Sequence, residues 1–215
     1  MNTAPDLIPA SITVRTEPIQ RRSAERISHL MDAAARLIDE HGIDGLTTTA
    51  VSVRADSSVG VVYRYFPNIQ QLLLALAARN LDRFSERVYA RLNDSNGNWL
   101  EIIDHVIDIY VDLVKNEPGF RALRFGDVID ERFMQPNATN NTLIADRFNE
   151  LLVMKYGIAT TPELSFDLEV LVEIASSLLH RAFVYERDGD VRFINKLRTL
   201  SRELLAPHAS LTPSA

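Results

Sequence analysis

The chain contains no cysteine, which excludes a disulfide framework, a thiolate nucleophile and a zinc centre built on cysteine. Glycine is scarce as well, at eight residues in 215. No phosphate-cradling glycine-rich loop, Gly-x-Ser-x-Gly elbow or His-Glu-x-x-His pair occurs. No apolar run approaches the roughly 18 residues that a membrane helix needs. Residues 1–22 lack the apolar stretch of a secretion signal. These absences argue against catalysis, cofactor and metal, and they make a cytoplasmic chain with no membrane partner the expectation.

An excess of positive charge is missing too. The formal net charge is -6, which weighs against nonspecific coating of nucleic acid and makes the distribution of charge decisive. Residues 1–67 hold seven arginines against eight acids. The acids fall mainly in the first predicted helix and the loop after it.

What is present is a compact segment from Leu46 to Leu73. Thr47 to Thr49 supply hydroxyls that cap a helix start, and Ala50, Val51, Val53 and Ala55 make a short apolar helix of about two turns. Asp56, Ser57 and Ser58 bond nearby backbone, so they close that helix and cap the next, predicted from about Ser58 or Val59. In this second helix Val62 and Phe66 fall four apart and face the first. Val61, Tyr63, Arg64 and Tyr65 point elsewhere, and Gly60 leaves no side chain to hold the helix away from a phosphate or base edge. Two helices joined by three or four residues, the second displaying small, hydroxylic and cationic groups, match a helix-turn-helix reader of the major groove.

From about Arg26 to Leu76 the chain resembles the amino-terminal domain of the TetR family of one-component transcriptional regulators. The resemblance is carried by Ile27, Ala33, Ala34, Leu37, Ile38 and His41-Gly42, by Leu46-Thr47-Thr48, and by Val61-Val62-Tyr63-Arg64-Tyr65-Phe66-Pro67-Asn68. Three positions depart from the family pattern. Asp56 stands where a glycine is common, Ser57 where a small apolar residue is common, and Ile69 where a lysine commonly opens the fourth helix. Aspartate tolerates left-handed backbone better than most residues. Loss of the lysine shifts more of the phosphate grip to Arg22, Arg26, Arg64 or Tyr65. The DNA contacts implied are Arg22, Arg26, Thr49, Ser58, Val59, Gly60, Val61, Tyr63, Arg64 and Tyr65, with Arg64 reading either a phosphate or a guanine edge.

The fold class is all-α, with about nine helices: an N-terminal helix-turn-helix domain of three helices and a C-terminal helical domain for ligand binding and dimerisation. Residues 1–22 read as a flexible arm, since they hold three prolines in the first twenty residues and no periodicity. Such an arm either touches phosphates or stays solvated. The reader then spans 23–67, the effector and dimerisation domain 68–207, and a tail 208–215. Helix one is predicted over Ser23–His41 and helix four from Pro67 to about Leu92. Next comes an enclosed helix over Trp99–Lys115, then a short helix around Phe120–Phe125. The segment Asn137–Asn141 reads as loop before a helix over Leu143–Tyr156. Two more follow over Pro162–Glu186 and Val191–Leu205.

Beyond the reader, the resemblance implies a small hydrophobic or amphipathic effector. Its candidate lining is Trp99, Ile103, Tyr110, Phe120, Phe125, Phe133, Met134, Phe148, Leu152 and Phe183, although aromatics at helical spacing are also ordinary core. The last two helices carry more apolar surface than one neighbour covers. Leu168, Leu171, Ile174, Ala175, Leu178, Leu179, Ala182, Ile194, Leu197 and Leu200 are therefore candidates for a two-fold interface in a homodimer, with intrachain core as the alternative. Two reading helices in such a dimer suit a palindromic operator in double-stranded DNA, with half-sites roughly 34–36 Å apart or somewhat more. Asp104, His105, Asp108 and Asp112 form an acidic stripe, read as a solvated face rather than a cation site. His180 reads as a hydrogen-bonded core residue.

The function expected is a sequence-specific regulator, a homodimeric repressor released by its effector. An activator or a protein-responsive regulator of the same fold stays open, and an all-helical enzyme is the rival from another class.

Overall fold

A computed structural model describes residues 17–93, 99–121 and 140–211. Eight α-helices occur among them and no strand: α1 Glu17–His41, α2 Thr48–Arg54, α3 Val59–Tyr65, α4 Ile69–Asn93, α5 Trp99–Asn116, α6 Asn140–Tyr156, α7 Pro162–Phe183 and α8 Val191–Leu205. Two 3-10 turns, Ile43–Gly45 and Ala206–Leu211, complete the path. The ninth predicted helix has no described counterpart. Phe120 lies in a turn, and 122–125 fall outside the described residues, as do Phe133 and Met134.

Several boundaries differ from expectation for local reasons. Helix α1 begins at Glu17 instead of Ser23, so residues 17–22 of the expected arm are helical. An acid and Pro18 in the first turn favour a helix start there. Helix α7 stops at Phe183, three residues early. Gly189 there takes φ 79°, Asp190 donates its backbone N–H to the Ala182 carbonyl at 2.9 Å, and the Asp190 carboxylate accepts from the Arg192 N–H, capping α8. Asn140 and Asn141 are helical, not loop. Residues 208–211 of the expected tail belong to the last 3-10 turn, and His208 is buried with its Nε2 2.7 Å from Asp167 Oδ2 on α7.

The chain builds two hydrophobic cores. The first gathers Leu30, Ala34, Leu37 and Ile38 of α1 with Val51, Ala55, Val62, Phe66, Leu72 and Leu76. The second gathers Phe84, Val88 and Leu92 of α4 with residues of α5 to α8, among them Trp99, Leu113, Leu152, Leu164, Leu168 and Leu197. Helix α4 belongs to both. Its first half packs in the first core and its second half in the second, so one continuous helix joins the two.

Helix α5 is largely enclosed, with Leu100, Val106, Ile109, Tyr110 and Val111 packed against the second core beside its fully buried residues. Trp99, Ile102, Ile103, Ile107, Leu113 and Val114 are buried, Asp104 and His105 of the acidic stripe are half-buried, and Asp108 and Asp112 are exposed. That stripe is ion-paired across helices instead of merely solvated. Arg198 of α8 donates to Asp104 Oδ1 at 3.2 Å and to Asp108 Oδ1 at 2.5 Å, and Arg202 also donates to Asp104. Arg87 of α4 donates to Asp112 at 2.5 Å. Among the described residues no cluster of three metal-ligating side chains exists. No described helix is long and apolar enough to cross a membrane.

Candidate nucleic-acid interface

Two side-chain caps shape the reader. Thr47 accepts from the Ala50 N–H at 3.0 Å and opens α2, and Ser58 accepts from the Val61 N–H at 3.4 Å and opens α3. Between them Asp56 takes φ 45°, the left-handed conformation that a glycine would otherwise supply. Val62 is fully buried and Phe66 nearly so, which pins α3 to the first core. Arg54 closes α2 with a two-pronged contact to Glu40 of α1, at 2.8 and 2.5 Å. The Arg54 hydrogen bonds hold the Glu40 carboxyl below its ordinary range. Arg54 is thereby engaged within the chain.

With Val62 and Phe66 inward, the remaining residues of α3 face out. Arg64, Gly60 and Ser58 are exposed, as is Thr49 of α2, and Val59, Val61 and Tyr65 are partly so. Tyr63 is 51 % exposed, and its hydroxyl accepts from Thr48 at 3.3 Å. Tyr65 accepts from Ser23 of α1 at 3.4 Å. A Cβ added at Gly60 would meet nothing closer than the Ser58 hydroxyl at 3.9 Å. Packing within the chain therefore gives no reason for a glycine there.

An open groove of about 920 Å³ runs between α1 and the α2–α3 turn with α3. It collects Arg22, Arg26, Val61, Arg64 and Tyr65 from the ten candidate contacts, together with Ser23, His29 and the two acids Glu25 and Asp56. Arg22, Arg26 and His29 follow helical spacing of four and three, so they share one face of α1. Thr49, Ser58, Val59, Gly60 and Tyr63 lie outside the groove lining. The ten candidates thus divide between the outward surface of α2–α3 and a groove beside it in which three arginines outnumber two acids. Three guanidinium groups in one concavity suit a phosphodiester strand. Sequence reasoning missed Thr48, Ser23 and His29. For His29 the signal was available, one helical turn after Arg26.

Comparison with known proteins fits this geometry. Residues 30–76 match the family described as "Bacterial regulatory proteins, tetR family". Residues 97–209, over half of the chain, match "Tetracyclin repressor-like, C-terminal domain". The chain belongs to the TetR family. This is a family of DNA-binding transcriptional regulators. A solved TetR-family transcriptional regulator from Streptomyces coelicolor is 37 % identical, with a TM-score of 0.72 over 85 % of this chain and 98 % of that one. The HTH-type transcriptional repressor KstR of Rhodococcus jostii (strain RHA1) is 38 % identical over 108 residues, 48 % of this chain and 50 % of that protein. KstR of Mycobacterium tuberculosis is 29 % identical over 91 residues, 40 % of this chain and 41 % of that protein. The chain spans about half the length of the curated relatives it matches.

The TetR-family C-terminal body holds two small cavities. One, of about 80 Å³, is lined by Phe84, Val106, Ile107, Tyr110, Asn141, Ile144, Phe148, Val172, Ala175, Ser176 and Leu179. The other, of about 30 Å³, shares Phe84, Ile144 and Phe148 with it. Of the candidate effector contacts, Tyr110 and Phe148 line the larger cavity. Trp99, Ile103, Phe120, Leu152 and Phe183 are buried in the core and line neither, because their rings and branches fill the space between helices. Phe125, Phe133 and Met134 lie outside the described residues. Asn141 and Ser176 are polar lining that aromatic spacing had no way to reveal.

The candidate interface residues divide similarly. Leu168, Leu171, Leu179, Ala182, Ile194 and Leu197 are buried within the single chain, at 7 % exposure or less. Area already covered is not available to a second copy, so these six are corrected to intrachain core. Ile174, Ala175, Leu178 and Leu200 stay half-buried, and Ala175 turns toward the larger cavity. Phe166 and Tyr185 near the two ends of α7 and Val191 on α8 are exposed apolar side chains outside the candidate set. Arg181 lies over the Tyr185 and Phe193 rings, at 5.0 and 4.9 Å from their centroids.

Proposed function

We propose that the protein is a homodimeric, sequence-specific transcriptional repressor. Paired α3 helices hold a palindromic operator, and a small hydrophobic or amphipathic effector in the second domain releases it. One observation carries the reading: α3 presents a glycine without a packing role next to exposed Tyr63 and Arg64, beside a groove with three guanidinium groups. A surface that small side chains keep bare and cations border is what close approach of a duplex requires. Repression is the sign carried by the names of the KstR relatives.

Dimerisation is supported by the half-buried residues Ile174 and Leu178 of α7 and Leu200 of α8, and by the exposed apolar side chains Phe166, Tyr185 and Val191 on or beside the same two helices. An apolar surface of that extent is best covered by its symmetry mate. An amphipathic effector is supported by cavity walls that are apolar except at Tyr110, Asn141 and Ser176. Release follows if the effector binds more tightly to a dimer whose α3 helices are misplaced for successive major-groove faces.

The test is a gel shift with DNA from upstream of the protein's own gene, using Arg64→Ala and Tyr65→Ala as controls. A retarded complex weakened by both substitutions is expected. Unretarded mobility of every upstream fragment at low salt contradicts the reading.

A further inference from the structure

The turn that ends α5 joins the two cores through a glycine. Gly119 is buried, with φ +83°, and a Cβ built on it would sit 3.1 Å from Ala35 Cβ and 3.2 Å from Ala35 Cα on α1. The next residue, Phe120, is buried in the second core, whereas Ala35 and Leu76 belong to the first. From α4, Asn80 is 1 % exposed and donates from Nδ2 to the Gly119 carbonyl at 3.4 Å, while its Oδ1 has no hydrogen-bond partner. Arg83 and Arg87 of α4 each donate to Glu117 at the start of the turn, both at 3.1 Å. Arg79, one residue before Asn80, donates to Asp32 of α1 at 2.6 Å. Helices α1 and α4 and the α5 turn thus meet at one joint.

Helix α5 also lines the larger cavity, through Val106, Ile107 and Tyr110, and runs unbroken from there to Asn116. A hydrogen-bonded helix moves as a body, so a displacement at the cavity wall arrives at the turn. The space between Gly119 and Ala35 is too tight to take even one added carbon without crowding, so the two backbones are close neighbours, and packed protein transmits strain. We propose that the Gly119–Ala35 contact relays occupancy of the cavity to α1, and so to the groove lined by Arg22, Arg26 and Arg64. The proposal rests on the regulator reading above. It supplies a route separate from tilting of α4, since α5 pushes on α1 directly. Asn80 sets the register of the joint. One long bond to a backbone carbonyl, with the amide oxygen unmatched, is readily exchanged for another arrangement, as a two-position contact requires.

The experiment compares Gly119→Ala with Gly157→Ala in the full chain. Gly157 ends α6 with φ 61°, so both variants place an alanine in left-handed backbone, and the Cβ at position 119 is the one that crowds Ala35 of α1. Affinity for upstream DNA is measured by gel shift, with thermal unfolding and sedimenting mass on the same samples. The relay predicts at least about tenfold weaker binding for Gly119→Ala, within the usual range of allosteric coupling, and about twofold or less for Gly157→Ala. Equal affinities of the two variants would overturn it. Should Gly119→Ala not unfold cooperatively, Asn80→Ala takes its place. A loss of affinity of about threefold or more then supports the relay, and wild-type affinity overturns it. A wild-type chain that retards no upstream DNA removes the regulator reading and the relay together, whereas wild-type binding indifferent to these substitutions removes the relay alone.

Discussion

Replacing Gly60 by alanine separates packing from recognition at the centre of α3. Gly60 is the second residue of the helix, has no positive φ, and has only the Ser58 hydroxyl, 3.9 Å away, near its missing Cβ. Alanine is preferred over glycine inside helices by about 0.5–1 kcal/mol, and a first-turn site draws on the lower end of that range. For a chain of this size a gain of that order raises the melting midpoint by about 1–3 °C. DNA affinity moves the other way. A methyl group between α3 and a base edge or phosphate disturbs contacts worth about 1–3 kcal/mol, a loss of roughly 5- to 150-fold. Melting followed by circular dichroism and fluorescence anisotropy with a labelled operator duplex measure the two effects on one sample. A more stable variant that binds DNA as well as the wild type would refute the reasoning, since the glycine would then have no external reason to be bare.

Four further outcomes are expected. Arg64→Ala lowers DNA affinity and, if the contact is to a phosphate, reduces the slope of log affinity against log salt by about one; an unchanged slope assigns the contact to a base edge. Leu178→Arg places a charge on the proposed two-fold surface and yields folded monomer in sedimentation, whereas Leu171→Arg puts the charge into the core and lowers the melting midpoint sharply; a folded dimer of Leu178→Arg would misplace the interface. Ser58→Ala removes the α3 cap and costs about 1 kcal/mol in denaturant unfolding; no loss would mean that the backbone turn holds the helix alone. The Arg54 hydrogen bonds hold Glu40, and those from Arg192 hold Asp190, below the ordinary carboxylate range. Both contributions are therefore complete above that range and fade as pH falls through it. Melting midpoints should stay flat from neutrality to about pH 5 and drop below about pH 4, with a shallower drop for Glu40→Gln.

The reader was legible in sequence because its determinants are local. Caps at Thr47 and Ser58, the inward pair Val62 and Phe66, and the tolerance of Asp56 for left-handed backbone each involve residues within one or two turns of each other. Helix periodicity likewise marked α4 to α8. What sequence left open is non-local. An apolar stripe on α7 has the same pattern whether it meets α8 of its own chain or a second copy, so Leu168 and Leu197 were indistinguishable from Leu178. Trp99 and Phe120 fill core while Phe148 lines a cavity, although all three are aromatics on or beside helices. The partners of Asp104 are Arg198 and Arg202, 94 and 98 residues away, and no spacing rule connects them.

The most direct test of the paired-reader account is the dependence of binding on the separation of operator half-sites. On a palindrome recovered from the bound DNA, inserting half a helical turn, about five base pairs, between the half-sites should turn the two recognition faces away from each other and abolish high-affinity binding. Inserting a full turn, about ten base pairs, restores the facing but not the distance. Loss of the tight complex with the half-turn insertion is the predicted result. Undiminished affinity for that duplex would contradict the claim that two rigidly joined α3 helices read one stretch of DNA together.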